Sequence, residues 1–202
     1  MKLVLIGGGG HARVATDVAC AAAFQVIGVL TLEGTVAAPG LHRLGDDRWA
    51  ENAAEDIAFH IAVGGNRRAY LFERLAAAGR RLPALISPTS FVSPSAIIGD
   101  GALVVHQATV NAGASVGRNA IVNTAATIEH DCSVGDHSHI APGAVLAGGV
   151  HVGERSLVGT RAVVLPGLVI GDDVTIGAGA VVTRPIPSCG GIWYGNPARR
   201  QE

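Results

Sequence analysis

The densest set of side chains able to do chemistry lies between Asn123 and Gly143. It reads Asn123-Thr124-Ala125-Ala126-Thr127-Ile128-Glu129-His130-Asp131-Cys132, then His137-Ser138-His139-Ile140-Ala141-Pro142-Gly143. An imidazole is largely neutral near pH 7 and can accept a proton there, so His130, His137 and His139 are candidates for acid–base work. A second set is Gly7-Gly8-Gly9-Gly10-His11-Ala12, which contains G-x-G-x-x-A. Glycines between a strand and a helix let backbone N–H groups and the helix N-terminus meet a phosphate. Glu33 stands at about the distance of a ribose-binding acid, which would fit NAD. A region that ends near residue 83 is nevertheless short of the paired halves a dinucleotide needs. The plain alternative is that these glycines only permit tight strand–helix packing.

The elements that must hold these residues differ between two regions. Residues 2–6, 25–30 and 56–63 read as apolar strands, and residues 11–23 and 67–78 as helices. A Gly64-Gly65-Asn66 turn precedes the second helix. Strands alternating with helices imply a small parallel sheet, here a Rossmann-like βαβ domain over residues 1–83.

From Ala84 to Pro185 the chain divides without a break into seventeen hexads, from ALISPT through ATIEHD to AVVTRP. The third position of every hexad is Ile, Val or Leu, the first is usually Ala or another small residue, and the fourth is often Gly. Such a period reads as a stack of short strands joined by corners. The third-position aliphatic points to the axis, the first stays small where space is tight, and Gly and polar residues serve the corners. Residues 188–202 follow as a separate closing segment.

Composition narrows the function classes. The 202 residues carry a formal net charge of −1, and their few paired arginines are scattered, which argues against nucleic acid as a partner. Cys20, Cys132 and Cys189 are far apart and lack CxxC spacing, as expected of reduced thiols in a cytoplasmic protein. The opening MKLVLIGGGG breaks into glycines too soon for a signal peptide, and no apolar run reaches membrane-spanning length. With aromatics at 4%, the core must come from Val, Ile, Leu and Ala.

The hexads resemble the hexapeptide-repeat acyltransferases, whose fold is a left-handed parallel β-helix with three hexads per coil. The run N-T-x-x-x-I-E-H-D-C with a second His nine residues after the first resembles one subfamily. These are the sugar acetyltransferases of bacillosamine, perosamine and sialic acid biosynthesis. The resemblance extends over nearly the whole chain, from the N-terminal βαβ unit through Ser87–Ala96 to the closing Trp193-Tyr194-Gly195-Asn196-Pro197-Ala198-Arg199. It implies an acetyl-CoA-dependent enzyme and a homotrimer.

By that resemblance His130 is the general base, taking a proton from a sugar amine as the nitrogen attacks the thioester. Asp131 matches the acidic residue that pairs with the imidazole, and Glu129 is the substitute candidate. Gly148 lies eighteen residues after His130, one coil on, and should stand beside it. There its N–H can meet the thioester oxygen, a role relatives give to a backbone amide. His139 lies one and a half hexads from His130, on the far side of the same prism. If both act, the site lies between subunits.

The resemblance further assigns Gly9, Gly10, His11, Gly64, Arg67 or Arg68, and Asn123 to a nucleotide-linked amino sugar. His139, Gly148, Thr160 and Val169 fall at positions that contact coenzyme A. Thr31-Leu32-Glu33 replaces the Asp pair that relatives carry after the second strand. His106, His137 and His151 read as solvated corner residues. A zinc site of the γ-carbonic-anhydrase kind does not match the spacing of His130, His137 and His139, so no metal is expected. Three readings follow: N-acetylation of a nucleotide-linked 4-amino sugar, O-acetylation of a sugar such as sialic acid, or a nucleotide-sugar-binding protein without turnover.

Overall fold

The computed structural model describes residues 1–32, 37–188 and 190–201. The chain forms two compact units, Met1–Pro88 and Thr89–Glu202. Glu33, the ribose-acid candidate, and Cys189 lie outside the described residues.

In the first unit, β1 (Lys2–Ile6) is flanked by β2 (Gln25–Leu30) and β4 (Ile57–Ile61), with β3 (Arg43–Gly45) beyond β2; the order β3-β2-β1-β4 is parallel throughout. Parallel neighbours require crossovers, and α1 (Gly10–Ala21) makes the first one. A 3₁₀ helix, Asp47–Asn52, precedes β4, and α2 (Asn66–Ala77) follows it. The core between sheet and helix gathers Val4, Ile6, Phe59, Ile61, Leu71, Phe72 and Leu75, each under 3% exposed. The short β3 and the 3₁₀ helix carry no hydrophobic period of their own, and neither is expected from the sequence.

The second unit is a stack of two-residue strands on three faces. Thr109, Thr127, Val145, Val163 and Val181 pair in register on the first face, each eighteen residues from the last. Ile97, Ser115, Ser133, His151 and Val169 do so on the second, and Leu103, Ile121, His139, Leu157 and Thr175 on the third. The residue after each of these points inward. Val110, Ile128, Leu146, Val122, Ile140 and Val158 are fully buried. First-position residues such as Ala108, Ala126 and Ala144 are equally buried, which is why they are small. Gly191–Tyr194 adds a parallel strand beside Val174–Ile176, and Arg199–Arg200 returns antiparallel to it.

The corners divide labour in a way the hexad pattern does not reveal. From Gly101 to Gly179 the left-handed conformation falls on the sixth position of each hexad, glycine or not. Gln107, Asn119, Ala125, Asp131, His137, Arg155, Arg161 and Asp173 all have φ between 53° and 61°, alongside Gly113, Gly143 and Gly179. The fourth-position glycines serve sterics instead. A Cβ on Gly135 would stand 2.6 Å from the Gly153 carbonyl carbon and 2.7 Å from the Glu154 nitrogen, and Gly99 and Gly117 meet the next coil equally closely. Side chains tie successive corners together. Ser138 Oγ donates to Gly153 O (2.6 Å) and accepts from Ser156 N (2.9 Å), and Ser156 repeats the pattern one coil on.

Candidate active site

His130 occupies the corner that follows strand Thr127–Ile128. Its Nδ1 lies 2.9 Å from Asp131 Oδ2. A carboxylate oxygen can only accept, so Nδ1 carries the proton and Nε2 keeps its lone pair. Asp131 reaches the ring because it holds the left-handed sixth position (φ 59°), with its N–H anchored on Ala112 O at 3.0 Å. Both side chains are well exposed, at 64% and 74%. Glu129 turns elsewhere, its Oε2 accepting from Asn111 Nδ2 one coil back at 3.0 Å. Asp131 therefore orients the imidazole, and Glu129 does not.

Gly148 stands directly against this ring. A Cβ built on it would lie 2.5 Å from His130 Nε2 and 2.7 Å from Cε1. The two corners are coupled by Gly149 N donating to His130 O at 2.9 Å. Nε2 thus packs against backbone that carries no side chain, and only glycine leaves the ring its place there.

His139 sits on a strand of the third face, away from the corner of His130. Its Nε2 is 3.0 Å from Asn123 Nδ2. Asn123 Oδ1 accepts from Thr124 N (2.8 Å), so the amide nitrogen is the one that faces His139. Nε2 is then the acceptor, and the His139 proton is on Nδ1. Thr160 and Val169 are exposed, and their carbonyls already accept from Gly179 N and Ile186 N. The corner histidines His106 and His137 have partners, Nδ1 of each meeting Thr89 and Asn119 respectively; His151, expected at a corner, lies instead on a strand of the second face, its Nδ1 against Ser133.

The first unit gathers its own candidates at the C-terminal ends of β1 and β4. Gly9 caps α1 with no side chain on its first-turn N–H groups, and a Cβ on Gly9, Gly10, Gly64 or Gly65 would meet nothing within 4 Å. Gly7 and Gly8 instead press against Ala62 and Thr31. Half of the glycine run is therefore packing, and half fronts open space. A small cleft of about 110 Å³ lies beside it, bordered by Gly8, Thr31, Leu32, Asp47 and Arg67. Arg67 binds Asp47 at 3.3 Å, and Arg74 approaches the same carboxylate at 3.5 Å. Arg43 Nε donates to Thr31 Oγ1 at 2.9 Å.

Arg68 and His60 were not separable from their surroundings by sequence. Arg68 is only 5% exposed, and burial lowers its pKa to about 10. His60 is 1% exposed and held near a pKa of about 3 by burial, then by the charges of His11 and Arg68. His11 is lowered by burial and by Arg68. Nε2 of His11 and Nδ1 of His60 are buried without a hydrogen-bond partner among the described residues. The available signal for His60 was its place inside the otherwise apolar run Ile57-Ala58-Phe59-His60-Ile61-Ala62. Among the described residues no group of His, Cys, Asp and Glu could hold a metal ion, and no helix is long and apolar enough to cross a membrane.

Comparison with known proteins identifies the family. Residues 2–75 match the PglD N-terminal domain, and residues 113–148 and 149–184 match the bacterial transferase hexapeptide repeat. No curated protein matches the sequence significantly. Among solved structures, the acetyltransferase domain of PglB from Neisseria gonorrhoeae in complex with acetyl coenzyme A is 39% identical. The match covers 99% of this chain and 98% of that one, with a TM-score of 0.92. PerB from Caulobacter crescentus in complex with CoA and GDP-perosamine is 36% identical over 100% and 98% of the two chains, with a TM-score of 0.94. WeeI from Acinetobacter baumannii is 26% identical over the full length of both, with a TM-score of 0.83. The second unit is accordingly a left-handed β-helix. At these identities over the entire length, the chain belongs to the hexapeptide-repeat sugar acetyltransferases that carry a PglD-type N-terminal domain.

Proposed function

We propose that this protein transfers the acetyl group of acetyl-CoA to the 4-amino group of a nucleotide-linked amino-dideoxy sugar. The observation that carries the reading is the His130–Asp131 pair with Nε2 set against Gly148. It stands in a chain 36–40% identical along its length to sugar N-acetyltransferases.

Nε2 of His130 takes a proton from the amine while the nitrogen attacks the thioester carbon. Asp131 keeps the proton on Nδ1 and stabilises the imidazolium that forms. The Gly148 N–H receives the negative charge that develops on the thioester oxygen. The C–S bond then breaks, and the imidazolium can return its proton to the departing thiolate. Gly9, Gly10 and Gly64, with the start of α1, offer backbone N–H groups to the sugar nucleotide, with His11 and Arg67 beside them. The bare backbone of Gly148 beside His130, with exposed Thr160 and Val169 further along, suits the extended co-substrate.

His139 and Asn123 form one hydrogen-bonded pair on a different face from His130. Their use at the same reaction needs a neighbouring subunit, so the working form is a homotrimer with its sites at the seams. The free thiols of Cys20 and Cys132 are in keeping with a reducing compartment, the cytoplasm.

The test is release of free thiol from acetyl-CoA against a panel of UDP-, GDP- and dTDP-linked 4-amino sugars, with sialic acid as the hydroxyl acceptor. Turnover with one of the amino sugars supports the reading. Turnover with sialic acid alone would replace it by O-acetylation, and no turnover with any acceptor would leave a binding protein.

A further inference from the structure

The turn that carries Gly148 differs from the first two turns of the same column of corners. Two and three coils before it in this column the turn closes on itself: Ala114 N donates to Asn111 O at 3.2 Å, and Ala96 N to Ser93 O at 2.9 Å. Beneath the turn Ala147–Val150 lies Cys132, the first residue of its hexad and 1% exposed. Its Sγ donates to Ala147 O at 3.1 Å, and the N–H groups of Val150 and Gly149 face the sulfur. The thiol stands between Ala147 and Val150 as the hydroxyls of Ser138 and Ser156 stand in their own corners, where each donates to a carbonyl and accepts from an N–H. In this column the first-position residues are Ala96, Ala114, Cys132, Val150 and Leu168. The one heteroatom among them sits under the corner that faces His130.

The consequence follows from peptide geometry. The carbonyl of Ala147 and the N–H of Gly148 belong to one planar trans unit and point to opposite sides. A donor that fixes the carbonyl toward the axis fixes the N–H outward, on the side where His130 packs. We infer that Cys132 is a positioning residue for the reaction: its buried S–H holds the Ala147–Gly148 peptide so that the Gly148 N–H faces the thioester oxygen. This rests on the reading of His130 and Gly148 given above. The thiol remains protonated, since burial raises its pKa, and so stays a donor.

Cys132→Ala removes the donor and lets Val150 N–H return to Ala147 O, as in the corners of Ala96 and Ala114. Cys132→Ser keeps a donor, with the hydroxyl in the geometry already used at Ser138. Steady-state thiol release from acetyl-CoA, with the amino-sugar nucleotide selected from the panel, is measured for both variants alongside His130→Ala. Losing one oxyanion donor outright costs roughly 10²–10³ in kcat, and misaiming it a part of that. The alanine variant is expected to lose about tenfold in kcat, with KM for acetyl-CoA within about twofold. The serine variant should recover kcat to within about threefold of the parent. Melting temperature and circular dichroism establish that both are folded. An alanine variant as fast as the parent, or a folded serine variant as slow as the alanine one, overturns the inference. Loss of turnover in His130→Ala alongside either of those results leaves the catalytic reading standing. Full activity in His130→Ala removes that reading first.

Discussion

A Cβ on Gly148 would stand 2.5 Å from Nε2 of His130, one coil away on the same edge of the prism. The two residues leave no room between them for a methyl group. Gly148→Ala should therefore displace the imidazole from Asp131 or push the turn outward. Its kcat is expected to fall about 10²-fold. Gly148 has no positive φ to strain an alanine, so the melting temperature should move by only a few degrees. Steady-state kinetics paired with a thermal melt separates the two effects.

Asp131 accepts from His130 Nδ1 while holding φ at 59°. Asn tolerates that backbone region, so Asp131→Asn tests the charge and the tautomer without adding strain. An amide can turn its NH₂ toward the ring and favour the wrong tautomer. Because both side chains are largely exposed, a moderate loss is expected, about 10- to 10²-fold in kcat/KM. Binding of acetyl-CoA, followed by calorimetry, should be unchanged.

The corner roles make opposite predictions for stability. Gly135→Ala places a Cβ 2.6 Å from backbone of the next coil, which cannot rotate away, and should cost about 3 kcal/mol. Ala125→Gly relieves a left-handed alanine (φ 53°) and should gain about 0.5–1 kcal/mol, net of the glycine's added unfolded-state entropy. Denaturant titrations of the two variants would check the signs.

Buried His60 makes the first unit sensitive to acid. Its folded pKa of about 3 lies below the ordinary 6.5, so the unfolded chain binds more protons between those values. Stability is then full above pH 6.5 and declines as pH falls toward 3, with a slope of up to roughly 1.4 kcal/mol per pH unit. His11, lowered in the same direction, adds to the effect. His60→Gln should flatten the acid limb of a stability profile taken between pH 7 and 4. A limb as steep as the parent's would place the effect elsewhere.

The repeat was legible because its signal is local. An aliphatic at every third position of a hexad reports the axis directly, and pairing at a distance of eighteen residues follows from three hexads per coil. The contact of Gly148 with His130 was legible for the same reason. Other features depend on groups the period does not encode. Asp136 and Asn119 take part in coil-to-coil bonds of eighteen residues, but Asn123 meets His139 at a separation of sixteen. The left-handed sixth position is hidden because Gln, Asn, Ala, Asp, His and Arg all occupy it as well as Gly. Nothing in Arg67-Arg68 says which arginine is buried; the register of α2 against β4 decides it. Cys132 reads as one more small first-position residue until its sulfur is seen within reach of Ala147 O.

The most direct measurement is thiol release from acetyl-CoA by His130→Ala, with the amino-sugar nucleotide that the parent accepts. Removal of a general base is expected to lower kcat/KM by about 10²–10⁴, with acetyl-CoA still bound at parental affinity. Turnover equal to the parent's in that variant would contradict the account.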